Sequence, residues 1–386
     1  MKIGLLTNII SPHQLPLARE LVKLVGEANY RYIYTEEFHK ERAKMGWREE
    51  IEGIRTEKID EVNRKWLEGA DLVYLEERDI ELIEARLKAA RKTFYVSERW
   101  FKPIPLCGIK VEGCRLKVES WHLPGWVRMM VPSYWKMCKR FVQFFESPNF
   151  MYLPQGLWAK RDMMMICKWF TGRTCEEKMV DWGYFVAPSN KVEGWRLKVE
   201  GGEKEVEGER VLKVLWVGRM LGWKRVDTII RAVARMIKLK VEGSRLNVQL
   251  TLVGDGPERK RLEKMARKVN SAVCLRTSTS PIITFLPSQP IAKIREIMRE
   301  HDVYVLASNG EEGWGAALNE ALEEGMKALG TYEAGSSSFM LPESNLFHAG
   351  DYKALAKKLI GEIPVVPIGD WSANRAAERM IALCES

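Results

Sequence analysis

Short apolar runs rich in strand formers alternate with segments of helical period, once through the first half of this 386-residue chain and again from residue 211. Residues 2–6, 30–35, 72–75, 94–97, 150–153 and 184–187 read as strands, with helices over 15–25 and 80–90. Residues 211–217, 248–253, 282–286 and 303–307 are strands of the second half, separated by helices over 226–239, 259–269 and 291–300. Alternation of this kind predicts parallel sheets covered by helices on both faces. The chain is long enough for two such units, so the expected fold class is α/β with two Rossmann-like domains.

In doubly wound sheets ligands sit beyond the carboxyl ends of the strands, which directs attention to the loops that leave them. The loop after the first strand, residues 7–14, has no Gly-x-Gly-x-x-Gly, so the dinucleotide fingerprint of an oxidoreductase is absent there. His13 stands at the start of the following helix and is a candidate site residue, with a helix cap or a surface histidine as the alternatives. Glu98 and Arg99, where residues 94–97 end, are further candidate site residues.

The richest stretch is residues 308–325, Ser-Asn-Gly-Glu-Glu-Gly-Trp-Gly-Ala-Ala-Leu-Asn-Glu-Ala-Leu-Glu-Glu-Gly. A buried strand, Val303 to Leu306, delivers a glycine-rich turn into a segment with helical spacing of Ala317, Leu318, Ala321 and Leu322. Such a turn presents unpaired N–H groups and a positive helix end, which favours phosphate, and Gly313 and Gly315 allow close approach to Trp314 and Ala316 backbone. Glu312 and Glu320 bracket the turn, about 12 Å apart along a helical path. The resulting picture puts Glu312 near sugar hydroxyls, amides on phosphates, and Glu320 on the paired hydroxyls of a ribose. The same spacing also fits a capped surface helix with solvated acids.

Gly218 to Lys224 follows the first strand of the second half, and Arg219 with Lys224 on one loop can neutralise a diphosphate, one as a fork and one as a point charge. The alternative is two solvated surface cations. Gly254-Asp255-Gly256-Pro257 leaves the next strand through glycines into a helix.

Glu312-Gly313-Trp314-Gly315 with Glu320 resembles the Glu-x7-Glu signature of retaining family-four glycosyltransferases, which have the GT-B fold of two Rossmann-like domains facing across a cleft. The Gly218-Arg219 loop with Lys224 resembles that family's Gly-Arg-x4-Lys, where both cations contact the donor diphosphate. Gly254 and Gly256 match its Gly-x-Gly-Pro element, which shapes the nucleotide pocket, and the loop from Leu286 is where relatives place the base. Gly330 to Ser337 corresponds to the segment after the signature helix but lacks the usual Pro-Val-Val. The resemblance covers residues 211–359 with motifs and the first half by architecture.

It implies an acceptor-binding domain over 1–189, a linker over 190–210, a nucleotide-sugar-binding domain over 211–370 and a final helix, 371–386, crossing back. Glu312, Arg219, Lys224 and His13 are then the catalytic candidates. Gly218, Gly254, Gly256, Leu286, Gly313, Trp314, Gly315, Ala316 and Glu320 would bind the donor, a nucleoside diphosphate sugar. No Asp-x-Asp signature is present, so neither metal nor cofactor is expected. The acceptor would be a saccharide or a lipid-linked saccharide, as in cell-surface polysaccharide or lipopolysaccharide synthesis. Two alternatives are a nucleotide-sugar epimerase and a non-catalytic binding partner of the same fold.

A formal charge of +9 points to an anionic partner. Nucleic acid is disfavoured because the basic residues are dispersed and no reading module is present. Residues 126–145 are aromatic, Met-rich and basic, which suits a helix on an anionic membrane surface and equally a core helix with a solvated basic face. The chain opens on a strand without a leader and has no apolar run of spanning length, so a cytoplasmic location is expected. Seven cysteines without a Cys-x-x-Cys pair fit reduced thiols. A Lys-Val-Glu-Gly-x-Arg-Leu-x-Val segment recurs from Lys110, Lys191 and Lys240 at unequal gaps, which marks surface insertions rather than a solenoid.

Overall fold

The structure, a computed structural model, describes residues 1–37, 51, 53–102, 104–105, 122–186, 211–240, 247–274 and 282–385. The linker expected over 190–210 and most of each repeat copy lie outside these residues.

The first half forms a parallel sheet of β1 (Ile3–Thr7), β2 (Tyr30–Tyr34), β3 (Thr56–Lys58), β4 (Leu72–Leu75), β5 (Lys92–Ser97) and, after the short antiparallel pair β6 (Ile104–Pro105) and β7 (His122–Leu123), β8 (Phe150–Pro154). Their order is β3-β2-β1-β4-β5-β8. The second half repeats the pattern with β9 (Val211–Val217), β10 (Asn247–Val253), β11 (Ile283–Leu286), β12 (Val303–Leu306), β13 (Lys327–Thr331) and β14 (Leu346–Phe347), in the order β11-β10-β9-β12-β13-β14. In each sheet the strand order reverses beside the first strand, which opens a crevice between β1 and β4 and another between β9 and β12. β1, β4 and β12 are largely apolar and buried throughout because both faces of the sheets are covered.

Local chemistry sets the helix starts. Asp60 accepts from the Asn63 amide at 2.6 Å, Asp79 from the Leu82 amide at 2.9 Å and Asp351 from the Ala354 amide at 2.9 Å. Arg86, fully buried, donates to the carbonyls of Lys92 at 2.7 Å and Ala70 at 3.0 Å and ties a helix end to the start of β5.

Three departures from the sequence reading have clear causes. Residues 126–145 do not form one helix: Pro132 starts the helix Pro132–Val142, and 3-10 turns over Gly125–Met130 and Gln143–Glu146 flank it. Residues 184–186 are not a strand but a crossing segment, joined by single bridges Gln155 to Trp182 and Val186 to Ser372. β3 and the helix Glu61–Gly69 escaped the sequence reading because a three-residue edge strand and a charged helix carry little periodic apolar signal.

The last helix, Ala373–Glu385, buries Ala373, Ala376, Ala377 and Met380 in the core that contains Leu15, Leu17, Ala18 and Leu21 of the first half. The chain therefore returns to its N-terminal sheet after completing the second one.

Candidate active site

Two loops leave the β9/β12 crevice side by side. The Asn309 amide donates to the Trp223 carbonyl at 2.8 Å, which locks the turn after β12 to the 3-10 turn Gly222–Lys224 after β9. Lys224 and Glu312 consequently meet as an ion pair, with side chains only 19% and 11% exposed. Ser308 donates its hydroxyl to the same Glu312 oxygen at 2.8 Å. Both Glu312 and Glu320 act on the buried phenol of Tyr304 in β12, whose pKa is raised first by burial and then by these two charges. The two acids that bracket the motif thus both lie within electrostatic reach of one strand.

The turn between them has the predicted form. Gly315 has φ +90°, a conformation open to glycine. Among the described residues, none accepts from the N–H groups of Gly313, Trp314, Gly315 or Ala316. The indole of Trp314, however, does not face the cleft. It is 1% exposed, donates Nε1–H to Asn319 at 2.7 Å and packs against Trp371 with ring centres 5.1 Å apart. Trp314 can therefore offer a ligand its backbone only. Its side chain holds the turn to the core.

Arg219 is exposed and forms no ion pair with a described residue, so its fork is available to an anion. Gly218, Gly254 and Gly256, expected to shape the donor pocket, stand where loops pack closely. A Cβ on Gly254 would lie 1.9 Å from the Gly218 carbonyl, and one on Gly256 would lie 2.5 Å from the Met220 carbonyl. The Met220 amide donates to the Asp255 carbonyl at 2.7 Å and the Gly254 amide to the Leu286 carbonyl at 3.1 Å. These glycines and Leu286 press three loops together and so set the position of Arg219.

The first half contributes more than the sequence suggested. His13, Tyr184 and Glu320 line one small pocket with Ala316, Asn319 and Arg295, so His13 faces the signature helix Ala317–Glu323. Burial lowers the His13 pKa to about 4, which keeps the ring neutral at pH 7. Glu76, at the carboxyl end of β4, accepts from the Gln14 side chain, and burial followed by the charge of Glu98 raises its pKa to about 8, with a Thr7 hydrogen bond opposing. A Cβ on Gly313 would meet the Glu98 carboxylate at 2.3 Å, which shows how closely that acid stands over the turn. Arg99 reaches across to donate to the Gly310 carbonyl at 2.8 Å. Glu76 carried no motif in the sequence; only its position after the strand beside β1, at the crevice, could have singled it out.

Comparison with known proteins bears on the fold and on the second half of the chain. Residues 211–361 match the profile of the family described as Glycosyl transferases group 1. No curated protein matches the chain by sequence. Solved structures resemble it over essentially its whole length. The apo form of the lipopolysaccharide outer core galactosyltransferase WaaB is 13% identical with a TM-score of 0.61, each chain covered to 99%. Anabaena HepE in complex with UDP is 14% identical with a TM-score of 0.57, covering 100% of this chain and 95% of that one. A UDP-forming trehalose-phosphate synthase from Burkholderia xenovorans is 11% identical with a TM-score of 0.59, covering 100% and 95%. The chain thus has the GT-B architecture of these glycosyltransferases, and its second half carries the match to glycosyl transferases group 1.

Proposed function

We propose that this protein transfers a sugar from a nucleoside diphosphate sugar to an acceptor, with retention of anomeric configuration and without a metal. The observation that carries the reading is the Lys224–Glu312 ion pair at the β9/β12 crevice, with the exposed Arg219 on the same loop as Lys224. A diphosphate entering there takes Lys224 from Glu312 and releases that carboxylate to hold sugar hydroxyls. Lys224, Arg219 and the unpaired turn amides then meet the negative charge that grows on the leaving diphosphate, the role a metal plays elsewhere. Glu320 binds the ribose. UDP and UDP-glucose, which similar structures hold, are the first donors to test.

His13 serves this chemistry as a neutral hydrogen-bonding group. A ring that takes up a proton only near pH 4 is a poor general base at neutral pH. In the family that the motifs resemble, front-face attack assisted by the leaving phosphate is the usual proposal, so no protein nucleophile is assigned. The acceptor, a saccharide or lipid-linked saccharide, lies against the first domain beside Glu76 and Glu98.

The test is calorimetric titration with a panel of nucleotide sugars. Lys224→Ala and Glu320→Ala are expected to lower donor affinity by about two orders of magnitude or abolish binding, because each removes a charged partner of a buried ligand group. Undiminished affinity in both variants would overturn these assignments.

The location proposed is the cytoplasmic face of an anionic membrane. Among the described residues no helix is long and apolar enough to cross a bilayer. Trp126, Met130, Val131, Trp135 and Trp169 are between 42% and 70% exposed, and Arg128, Lys136 and Lys139 stand among them. Indole rings flanked by cations suit the headgroup region of a bilayer.

A further inference from the structure

Several contacts between the two halves converge on one place. The Asn319 side chain donates to the Tyr184 carbonyl at 2.7 Å, and a Cβ on Gly183 would collide with the Trp314 ring at 2.2 Å. Gly156 at the end of β8 touches the Gly335 backbone, and Gly335 touches the Gly313 carbonyl, so three glycines from three loops stand in file. Glu98 covers Gly313 from the first domain. The turn that carries Glu312 is therefore clasped by the domain that does not contain it.

Arg99 makes the polar contact in this clasp. Its guanidinium lies 5.1 Å from the Trp158 ring, and its Nε and Nη2 each stand 3.4 Å from the Asp162 carboxylate. Asp162 is nearly buried and is held in turn by the Phe101 amide at 2.8 Å. Two edges of the fork are thus fixed to the first domain, and the third, Nη1, donates to the Gly310 carbonyl, two residues before Glu312. A lysine could reach one of these partners but could not span both.

We propose that Arg99 is a positioning residue: from the opposite domain it sets the turn that aims Glu312 at the donor sugar, so that the sugar is gripped correctly only while the domains are closed. The consequence for the sugar rests on the nucleotide-sugar reading above; the consequence for the turn does not.

Hydrogen exchange on the ligand-free protein tests the second part. Arg99→Met is expected to speed amide exchange over residues 308–313 by about tenfold, the loss of one charge-assisted hydrogen bond. Arg161→Met, which removes a cation from the same Trp158 ring without touching the other domain, is expected to leave exchange there unchanged. Arg99→Lys provides a milder variant should the methionine form fold poorly, with an intermediate rate expected. Unchanged exchange over 308–313 in both Arg99 variants overturns the proposal. Titration with UDP and UDP-glucose tests the first part: Arg99→Met should bind UDP within about twofold of the parent and UDP-glucose about tenfold more weakly. Equal losses for the two ligands would reduce Arg99 to a general structural role. A parent protein that binds neither probe counts against the nucleotide-sugar reading, while the exchange comparison still decides what Arg99 does.

Discussion

Glu76 and His13 show how one crevice shifts two neighbouring groups in opposite directions. Burial, then Glu98, raises the Glu76 carboxyl from 4.5 to about 8, so between these values the native state holds a proton that the unfolded chain has lost, and stability falls as pH rises. Burial lowers His13 from 6.5 to about 4, so in that window the unfolded chain is the protonated one, and stability rises with pH. The two slopes oppose each other below pH 6.5, and only that of Glu76 remains between 6.5 and 8. Glu76→Gln is therefore expected to lose less thermal stability than the parent as pH goes from 6.5 to 8. His13→Asn is expected to differ from it mainly below 6.5. Calorimetric scans across this range check both, and parallel curves for parent and Glu76→Gln would refute the assignment. The place of Glu76 was not legible in the sequence, since nothing local distinguishes it from Glu77; the tertiary contact with the Gln14 side chain makes the difference.

Among the elements, the signature turn and the helix after it were readable in advance because a buried strand, glycines and helical spacing are all local signals. The placement of the Trp314 indole was not, since a tryptophan between two glycines gives no sign of which side of the turn has a core to receive it. Trp314→Phe tests that placement: the ring still fills the core, but Asn319 loses its donor, and a loss of about 1–3 kcal/mol is expected from denaturant unfolding followed by fluorescence. Stability equal to the parent would place the indole outside the core. The segment 126–145 left two readings open, and it has a buried side and an exposed one. Cys138, Phe141 and Val142 are buried, while Trp126, Met130 and Trp135 are exposed. Replacing Trp126 and Trp135 together by Glu should reduce co-sedimentation with anionic vesicles about tenfold or more, since it removes two interfacial rings and adds two repelled charges. Equal sedimentation of the parent with neutral vesicles would dismiss the surface as an anionic-lipid site.

For the molecule as a whole, the approach of the two domains depends on the absence of side chains where they touch. Gly156 has φ +94°, and a Cβ there would stand 2.6 Å from the Gly335 carbonyl. Gly156→Ala should therefore hold the cleft wider, seen as a larger radius of gyration by small-angle scattering with the fold otherwise intact. An unchanged radius would mean that the loops yield without moving the domains. The alternation of strand and helix periods determined two doubly wound sheets, because alternation and burial on both faces are properties of each segment and its neighbours along the chain. The motifs likewise determined which loops carry Arg219, Lys224, Glu312 and Glu320. Tertiary structure alone decided that Lys224 and Glu312 pair, that Gly254 and Gly256 pack loops together, and that Glu98 and Arg99 close over the turn from the other domain. Those outcomes depend on distances between segments far apart in sequence, and such distances exist only once both sheets have formed and the last helix has returned to the first.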